Sequence, residues 1–473
     1  LEFGGKLLFD DHAARVLPGF DPNVKMRLLQ QLASQTEIIL CVYAGDIERR
    51  KVRADFGITY DADTFKLIDD LRERGLEVRA VVITRFEGQP AAEKFGNQLD
   101  RRGIRVYIHR PIEGYPSDVA RVVSDEGYGS NPYVETDAPL VVVNAPGPNS
   151  GKLATCLSQV YHEHQRGTRS GYAKFETFPI WNLPLRHPVN AAYEAATAEL
   201  RDVNMIDPFH LEAHDERAVN YNRDIEAFPL LRRILEKITG DSMYQSPTDM
   251  GVNRVGFAII DDAAAQAAGK QEVVRRYFRY ACDEVLGIED GDAVRRIESL
   301  MEEFELKPTD RSVVLPARAA AQSAEKKADK GHRGIFSGAA VELPNGEVVT
   351  GPNSPMMHAA SALVLNAVKS LAGIPDHLDL ISPTVIDSIG TLRKELLGHD
   401  SISLNLEETL LALSISSTTN RTAHQAMMRL PDLRGCELHL THLPTPGDER
   451  GLRRLGVNLS CDPSFASNKL FVS

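Results

Sequence analysis

Cysteine is scarce in this chain, and what there is of it is scattered. Among 473 residues only Cys41, Cys156, Cys282, Cys436 and Cys461 occur, an odd number without a CxxC pair. That pattern excludes a disulfide framework and a cysteine-rich zinc site. Long apolar runs are missing too: none approaches the roughly twenty residues a bilayer span needs, and the opening "LEFGGKLLFDD" has neither the charged n-region nor the cleavage site of a secretory signal. A cytoplasmic protein without membrane contact is therefore expected. The opening letters also read as the middle of a strand, so the natural polypeptide is expected to begin upstream. Positive charge is the minority, with 54 Lys and Arg against 66 Asp and Glu and a net charge of −12. Such a field works against general attraction to nucleic acid, and no nucleic-acid partner is expected.

What is present is an ordinary globular composition, 42% apolar and 25% charged, in a chain long enough for about three domains. Residues 1–225 alternate short β-rich runs with amphipathic helices, the pattern of βαβ units around a mostly parallel, Rossmann-like or phosphate-loop-like sheet. The expected strands are 37–43, 77–84, 104–109, 139–145, 171–177 and 203–206, with helices stopping at Gly75 and Gly103. Residues 226–314 carry apolar residues at helical spacing and predict a helical middle subdomain. The Ala- and Lys-rich stretch 315–334 reads as an exposed helix or linker. Residues 335–473 predict a second α/β domain, opening on a hairpin whose turn uses Asn345 and Gly346.

The tetrapeptide GPNS occurs twice, at Gly147–Ser150 and at Gly351–Ser354. The first comes after an apolar strand and runs through Gly151 into a helix opening with Lys152, so backbone N–H groups and one ammonium surround an anion-sized hollow. Gly147, Asn149, Ser150, Gly151, Lys152 and Thr155 are the phosphate-binding candidates, for ATP or another phosphorylated small molecule. The full pattern G-x-x-x-x-G-K-[ST] is not met, because Pro146 replaces its first glycine and Leu153 its hydroxyl residue. Ser150 or Thr155 would then have to supply the hydroxyl for Mg²⁺. The alternative is a plain strand-to-helix turn. Along "GYAKFETFP" strand alternation puts Tyr172, Lys174 and Glu176 on one face, costly in a buried strand unless they meet a ligand or each other. This layout is similar to that of dethiobiotin-synthetase-like phosphate-loop enzymes.

Lys174, Glu176 and Asp207 are the catalytic candidates, with Glu176 or Asp207 binding Mg²⁺ or acting as base. The alternative reading of Asp207 is an Asp-Pro turn. Asp249, Asn253 and Arg254, in the polar loop "SPTDMGVNR", are expected to close over the substrate. The second GPNS lacks a lysine; Asn353, Ser354 and His358 form a second anion-site candidate, against a reading in which Ser354 and Pro355 merely start a helix. His210 and His214 share a helical face and are candidate metal ligands, or polar residues after a proline.

The stretches "SGKLATCLSQVYHE", "GYAKFETFPIWNLPL", "NMIDPFHLEAH", "SPTDMGVNRVGF" and "GPNSPMMHAASALVLNA" resemble, with others over nearly the whole chain, a bacterial family catalogued as a conserved domain of unknown function. The resemblance implies a multi-domain architecture, and some relatives carry the label ATP-dependent peptidase. Three functions are therefore expected as alternatives: a nucleotide- or phosphometabolite-binding enzyme, a peptidase or amidohydrolase assisted by a metal on His210 and His214, and a non-catalytic binding or assembly protein; the expected partners are a small-molecule ligand and further copies of the chain in a homo-oligomer.

Overall fold

A computed structural model of the chain describes residues 1–53, 57–251, 255–396, 398 and 401–467. The chain forms two compact units, 1–270 and 271–473. Among the described residues no helix is long and apolar enough to cross a membrane.

The first unit is built on six strands, β1 (Glu2–Phe3), β2 (Thr36–Tyr43), β3 (Glu77–Thr84), β4 (Val106–Ile108), β5 (Leu140–Asn144) and β6 (Lys174–Phe175). They lie in the order β4-β3-β2-β5-β1-β6, and every pairing is parallel. The run "EIILCVY" explains why β2 is central. Ile38, Leu40 and Val42 enter the core on one face of the sheet, while Ile39 and Cys41 enter the core on the other. Helices α1 (Tyr60–Glu73) and α2 (Pro90–Asp100) stop before Gly75 and Gly103, which take the left-handed φ values of +75° and +74°. Helices α3 (Lys152–Gln165), α4 (Pro208–His214) and α5 (Asn222–Thr239) complete the part of this unit that concerns function.

From β2 the chain steps outward through β3 to β4, then returns to place β5 on the other side of β2. The carboxyl ends of β2 and β5 therefore flank a topological switch point, where open parallel sheets leave a crevice. The first GPNS is the exit from β5. Two strand expectations change. The run 171–177 contributes only the two residues of β6, and 203–206 becomes β7 (Asn204–Ile206), which leaves the main sheet and pairs antiparallel with β8 (Val219–Tyr221).

Between 222 and 325 the described residues hold helices and no strand: after α5 come α6 (Asp262–Val285), α7 (Gly291–Glu303) and α8 (Val314–Glu325). They do not make a unit of their own, since α5 belongs to the first unit and α7 and α8 to the second. The first part of the stretch expected as a linker or exposed helix, up to Glu325, is instead a helix packed along one side. Val314, Ala317, Ala320 and Ala324 of α8 are buried, and a Cβ on Gly338 would lie 2.3 Å from the Ala317 carbonyl oxygen. Alanine on one side and glycine on the other permit that approach. The second sheet, β9 (Gly338–Glu342), β10 (Val348–Pro352), β11 (Glu437–Leu440) and β12 (Asn458–Cys461), has the order β10-β9-β11-β12. Its β9–β10 hairpin turns through Gly346 at φ +81°; Asn345 keeps a negative φ and accepts a hydrogen bond from the Glu347 N–H. Helix α9 (Ala359–Ala372) buries Leu363, Val364, Ala367 and Val368 in this unit's core.

Candidate functional site

The loop from Ala145 to Gly151 joins β5 to α3. Two residues in it take left-handed backbone angles, Asn149 (φ +55°) and Gly151 (φ +86°), the latter as the N-cap of α3. Gly151 is favoured by its angle, and both glycines leave room for close neighbours. A Cβ on Gly147 would lie 2.2 Å from the Tyr60 Oη at the head of α1, and one on Gly151 would lie 2.9 Å from Thr84 at the end of β3. The loop is cross-braced from within: Ser150 Oγ donates to the Gly147 carbonyl (2.8 Å) and Thr84 Oγ1 to the Ser150 carbonyl (2.8 Å). Among the described residues the N–H groups of Asn149, Ser150, Gly151 and Lys152 have no protein acceptor. They sit at the positive end of a 14-residue helix.

Three cations converge on this loop. Lys152 is half-buried and makes no ion pair among the described residues. Arg85, its guanidinium 3.5 Å from the centre of the Tyr43 ring, donates to the Asn149 carbonyl. Arg223, in the first turn of α5, donates to Asn149 Oδ1 at 3.3 Å and to Asp202 at 3.1 Å. Neither arginine was among the sequence candidates. Two candidates leave the group. Thr155 is fully buried beside the Cys41 thiol, not at the mouth, and Ser150, 1% exposed, spends its hydroxyl on the loop. Cys156 packs in the core with Leu157 and Val160, and burial pushes its thiol well above the ordinary value.

The trio expected on one face of "YAKFE" is held by internal partners. Tyr172 Oη donates to Glu2 (2.7 Å), and the Lys174 ammonium lies between Asp224 and Glu176, 3.0 Å from the latter. Burial pulls the Lys174 ammonium down, but Asp224, Glu176 and Glu2 outweigh it and raise it well above the usual lysine range. Lys174 is thus committed to carboxylates rather than reaching for the loop. Burial, reinforced by Asp224 and Glu2 and opposed by Lys174, lifts Glu176 to about 7. Burial likewise lifts Asp202 to about 6 against the pull of Arg223. Asp224 is the next residue after Arg223, so one helical turn ties the loop to the Lys174 cluster. Glu176 also explains a glycine near the start of the chain: a Cβ on Gly4 would lie 2.7 Å from its Cγ.

Asp207 is an N-cap. Its carboxylate is fully buried and accepts from the N–H groups of Phe209 (3.0 Å) and His210 (3.1 Å) and from Thr248 Oγ1 (2.6 Å). Its oxygens serve α4 and the turn at 247–250, which is the Asp-Pro reading rather than the Mg²⁺ or base reading. Asp249 forms a capping box with Ser246 and accepts from His214 Nε2 at 2.9 Å. Burial would raise Asp249, but bonds from His214 and from the Gln245 and Ser246 N–H groups hold it below the usual carboxylate range. Asn253 and Arg254 lie outside the described residues.

The second GPNS is a different object. Gly351 and Pro352 end β10, where a Cβ on Gly351 would lie 2.2 Å from the Leu363 nitrogen of α9. Asn353 accepts from the Ser337 N–H (2.9 Å) and donates to the Ile335 carbonyl (3.0 Å). Ser354 does not start the helix. Its Oγ accepts from the N–H groups of Met356 and Met357, and α9 begins four residues later than expected, behind His358. His358 Nδ1 is 2.7 Å from Asp448, which is itself buried. Every side chain of this anion-site candidate is therefore engaged in the fold.

Residues 1–305 match the family model described as "Domain of unknown function DUF1846, N-terminal", and residues 309–471 match its C-terminal counterpart. The chain is similar over 472 residues to proteins described as "UPF0371 protein" from Clostridium botulinum (strain Alaska E43 / Type E3) and from Clostridium tetani (strain Massachusetts / E88). Each is 56% identical, with 100% of this chain and 94% of the relative covered. Matched along both halves and at this identity, the chain belongs to the family of DUF1846 domains and UPF0371 proteins.

Proposed function

We propose that the protein is an enzyme that grips a phosphate group of a nucleotide or phosphorylated metabolite on the Gly147–Lys152 loop. The observation that carries this reading is the pairing of four acceptor-free N–H groups with a half-buried lysine that has no carboxylate partner among the described residues. The first N–H groups of any helix lack intrahelical acceptors, so it is the lysine beside them that sets this turn apart, and backbone amides at a helix start are suited to anions. Lys152 neutralises the charge; Arg85 and Arg223 hold Asn149 in its left-handed angle so that the amides stay aimed. Preorganised donors of this kind assist reactions in which charge develops on phosphate oxygens. Glu176, raised to about 7, is the group best poised to take or give a proton near neutral pH. The loop does not fit a protein-held Mg²⁺: Leu153 stands where the hydroxyl would be, and the hydroxyls of Ser150 and Thr155 face inward. The substrate class is a small phosphorylated molecule of the cytoplasm, ATP among the candidates.

The test is thermal unfolding of the full chain with ATP, GTP or pyrophosphate, with and without Mg²⁺. At least one of these is expected to raise the melting temperature of the natural protein and to lose that effect in Lys152→Ala, whose ligand-free melting stays unchanged. A response that persists in Lys152→Ala, or no response to any of them, overturns the reading.

A further inference from the structure

We infer that His210, His214 and Asp249 form a binding site for one divalent transition-metal ion of the zinc class. The two histidines are four residues apart on α4, so both rings leave the same face, with centroids 4.6 Å apart. Opposite them, a single oxygen of Asp249 faces one nitrogen of each ring: Oδ1 is 2.9 Å from His214 Nε2 and 3.5 Å from His210 Nδ1. One ligand atom from each residue falls within 4.8 Å of the others. Bonds to zinc of about 2.0–2.1 Å in a tetrahedron would put ligand atoms about 3.3 Å apart, a spacing that small side-chain movements from this arrangement reach.

The surroundings are those of a built site. The other Asp249 oxygen is fixed by the Gln245 and Ser246 N–H groups, both at 3.0 Å, which leaves Oδ1 turned toward the rings. His210 is buried, and among the described residues its Nε2 has no hydrogen-bond partner; the Glu216 carboxylate stands 4.0 Å from it. Ligating imidazoles commonly donate their second N–H to a carboxylate, and Glu216 needs only a small movement to accept it. The Ser246 hydroxyl, 2.9 Å from His210 Nδ1, occupies the place that an ion would take over or share. His214 and Asp249 have side chains 37% and 22% exposed, which gives an ion a route in and leaves a coordination position open to water. Two imidazole nitrogens and one carboxylate suit zinc, cobalt or nickel; Mg²⁺ and Ca²⁺ prefer oxygen throughout. The site draws on none of the residues of the phosphate loop, so either proposal can fail alone.

The molecule carries its own reporter. Trp181 is the only tryptophan, and its ring meets His210 edge-on at 5.8 Å. The full chain, stripped with a chelator, is titrated with Co²⁺ and Zn²⁺ while tryptophan emission, cobalt absorption in the visible and bound metal per chain are monitored. The expected result is one ion per chain, quenching of Trp181 by Co²⁺, and a tetrahedral cobalt spectrum that Zn²⁺ abolishes. His214→Ala, which removes a partly exposed ring, is expected to weaken binding by roughly 100-fold or more. Its metal-free unfolding curve, matched to that of the stripped natural protein, shows that the fold is intact. Should that variant fail to fold, His214→Gln takes its place with the same expectation. Absence of stoichiometric binding, or equal affinity in the natural protein and a folded variant, overturns the inference.

Discussion

The two GPNS turns share four letters and almost nothing else. At Gly147–Ser150 the letters form a loop at the switch point of a parallel sheet, with amides that have no acceptors among the described residues and two arginines braced on Asn149. At Gly351–Ser354 the same letters finish a strand, and the asparagine and serine side chains are both spent on neighbouring backbone. The difference lies in the residues next in the chain and in the elements packed behind each turn. Gly151 and Lys152 continue the first as a positive-φ cap and a cation, whereas Pro355 and two methionines continue the second. A phosphate grip is thus a property of amide supply and charge around a turn, and the tetrapeptide specifies neither.

That contrast can be broken by substitution. The largest effect is expected from Gly351→Ala, because the added methyl meets the backbone of α9 rather than a movable side chain. Chemical denaturation should show a loss of about 3 kcal/mol or more in the second unit. Next comes Lys152→Ala, expected to weaken the best phosphorylated ligand by about 100-fold, or about 2.7 kcal/mol, in isothermal titration. Its stability should change by less than about 0.5 kcal/mol, as for other substitutions that break no core packing. A ligand-binding loss of that size from Asn353→Ala would instead erase the distinction between the two turns.

Titration gives a smaller effect with a definite sign. Glu176 has a folded value near 7 against 4.5 for an unperturbed glutamate, so the fold favours its protonated form. Its contribution to stability is complete below about pH 4.5 and is lost as pH rises through 7; Asp202, raised to about 6, acts in the same direction. Relative to Glu176→Gln, the natural protein should lose on the order of 1–3 kcal/mol between pH 5 and 8, measured by denaturant unfolding at each pH. A constant difference between the two across that range would remove Glu176 as the proton-exchanging group. The smallest effect is expected from Ser354→Ala, about 1 kcal/mol or less from a lost turn bond, without consequence for any phosphorylated ligand.

Much of the first unit was legible in the letters. Short apolar runs rich in β-branched residues, such as "EIILCVY", read as buried strands, and Gly75 and Gly103 close their helices as capping rules require. Elements governed by distant partners were not legible. Residues 203–206 carry strand-forming letters, but pairing with Val219–Tyr221 takes them out of the main sheet. The Ala-rich stretch after 314 looked solvated because its side chains are small, and that smallness is what lets α8 lie against Gly338. At the candidate site the loop itself was visible, while Arg85 and Arg223 stand 64 and 74 residues from Asn149 and announce themselves only as charges near element ends. The lysine of "YAKFE" stands out for its cost in a strand, whereas its partner Asp224 does not, because nothing local marks a helix-start aspartate as the other half of an ion pair. Asp207 shows the converse: a carboxylate with good chemical credentials, fully used in capping.

The most direct test of the phosphate grip is a crystal structure grown with pyrophosphate or tungstate, in which an anomalous or strong tetrahedral peak can be located against both turns. The anion is expected within hydrogen-bonding distance of the Ser150, Gly151 and Lys152 amides and of the Lys152 ammonium. An empty first turn, with Lys152 directed into solvent and the anion bound elsewhere, would contradict the grip.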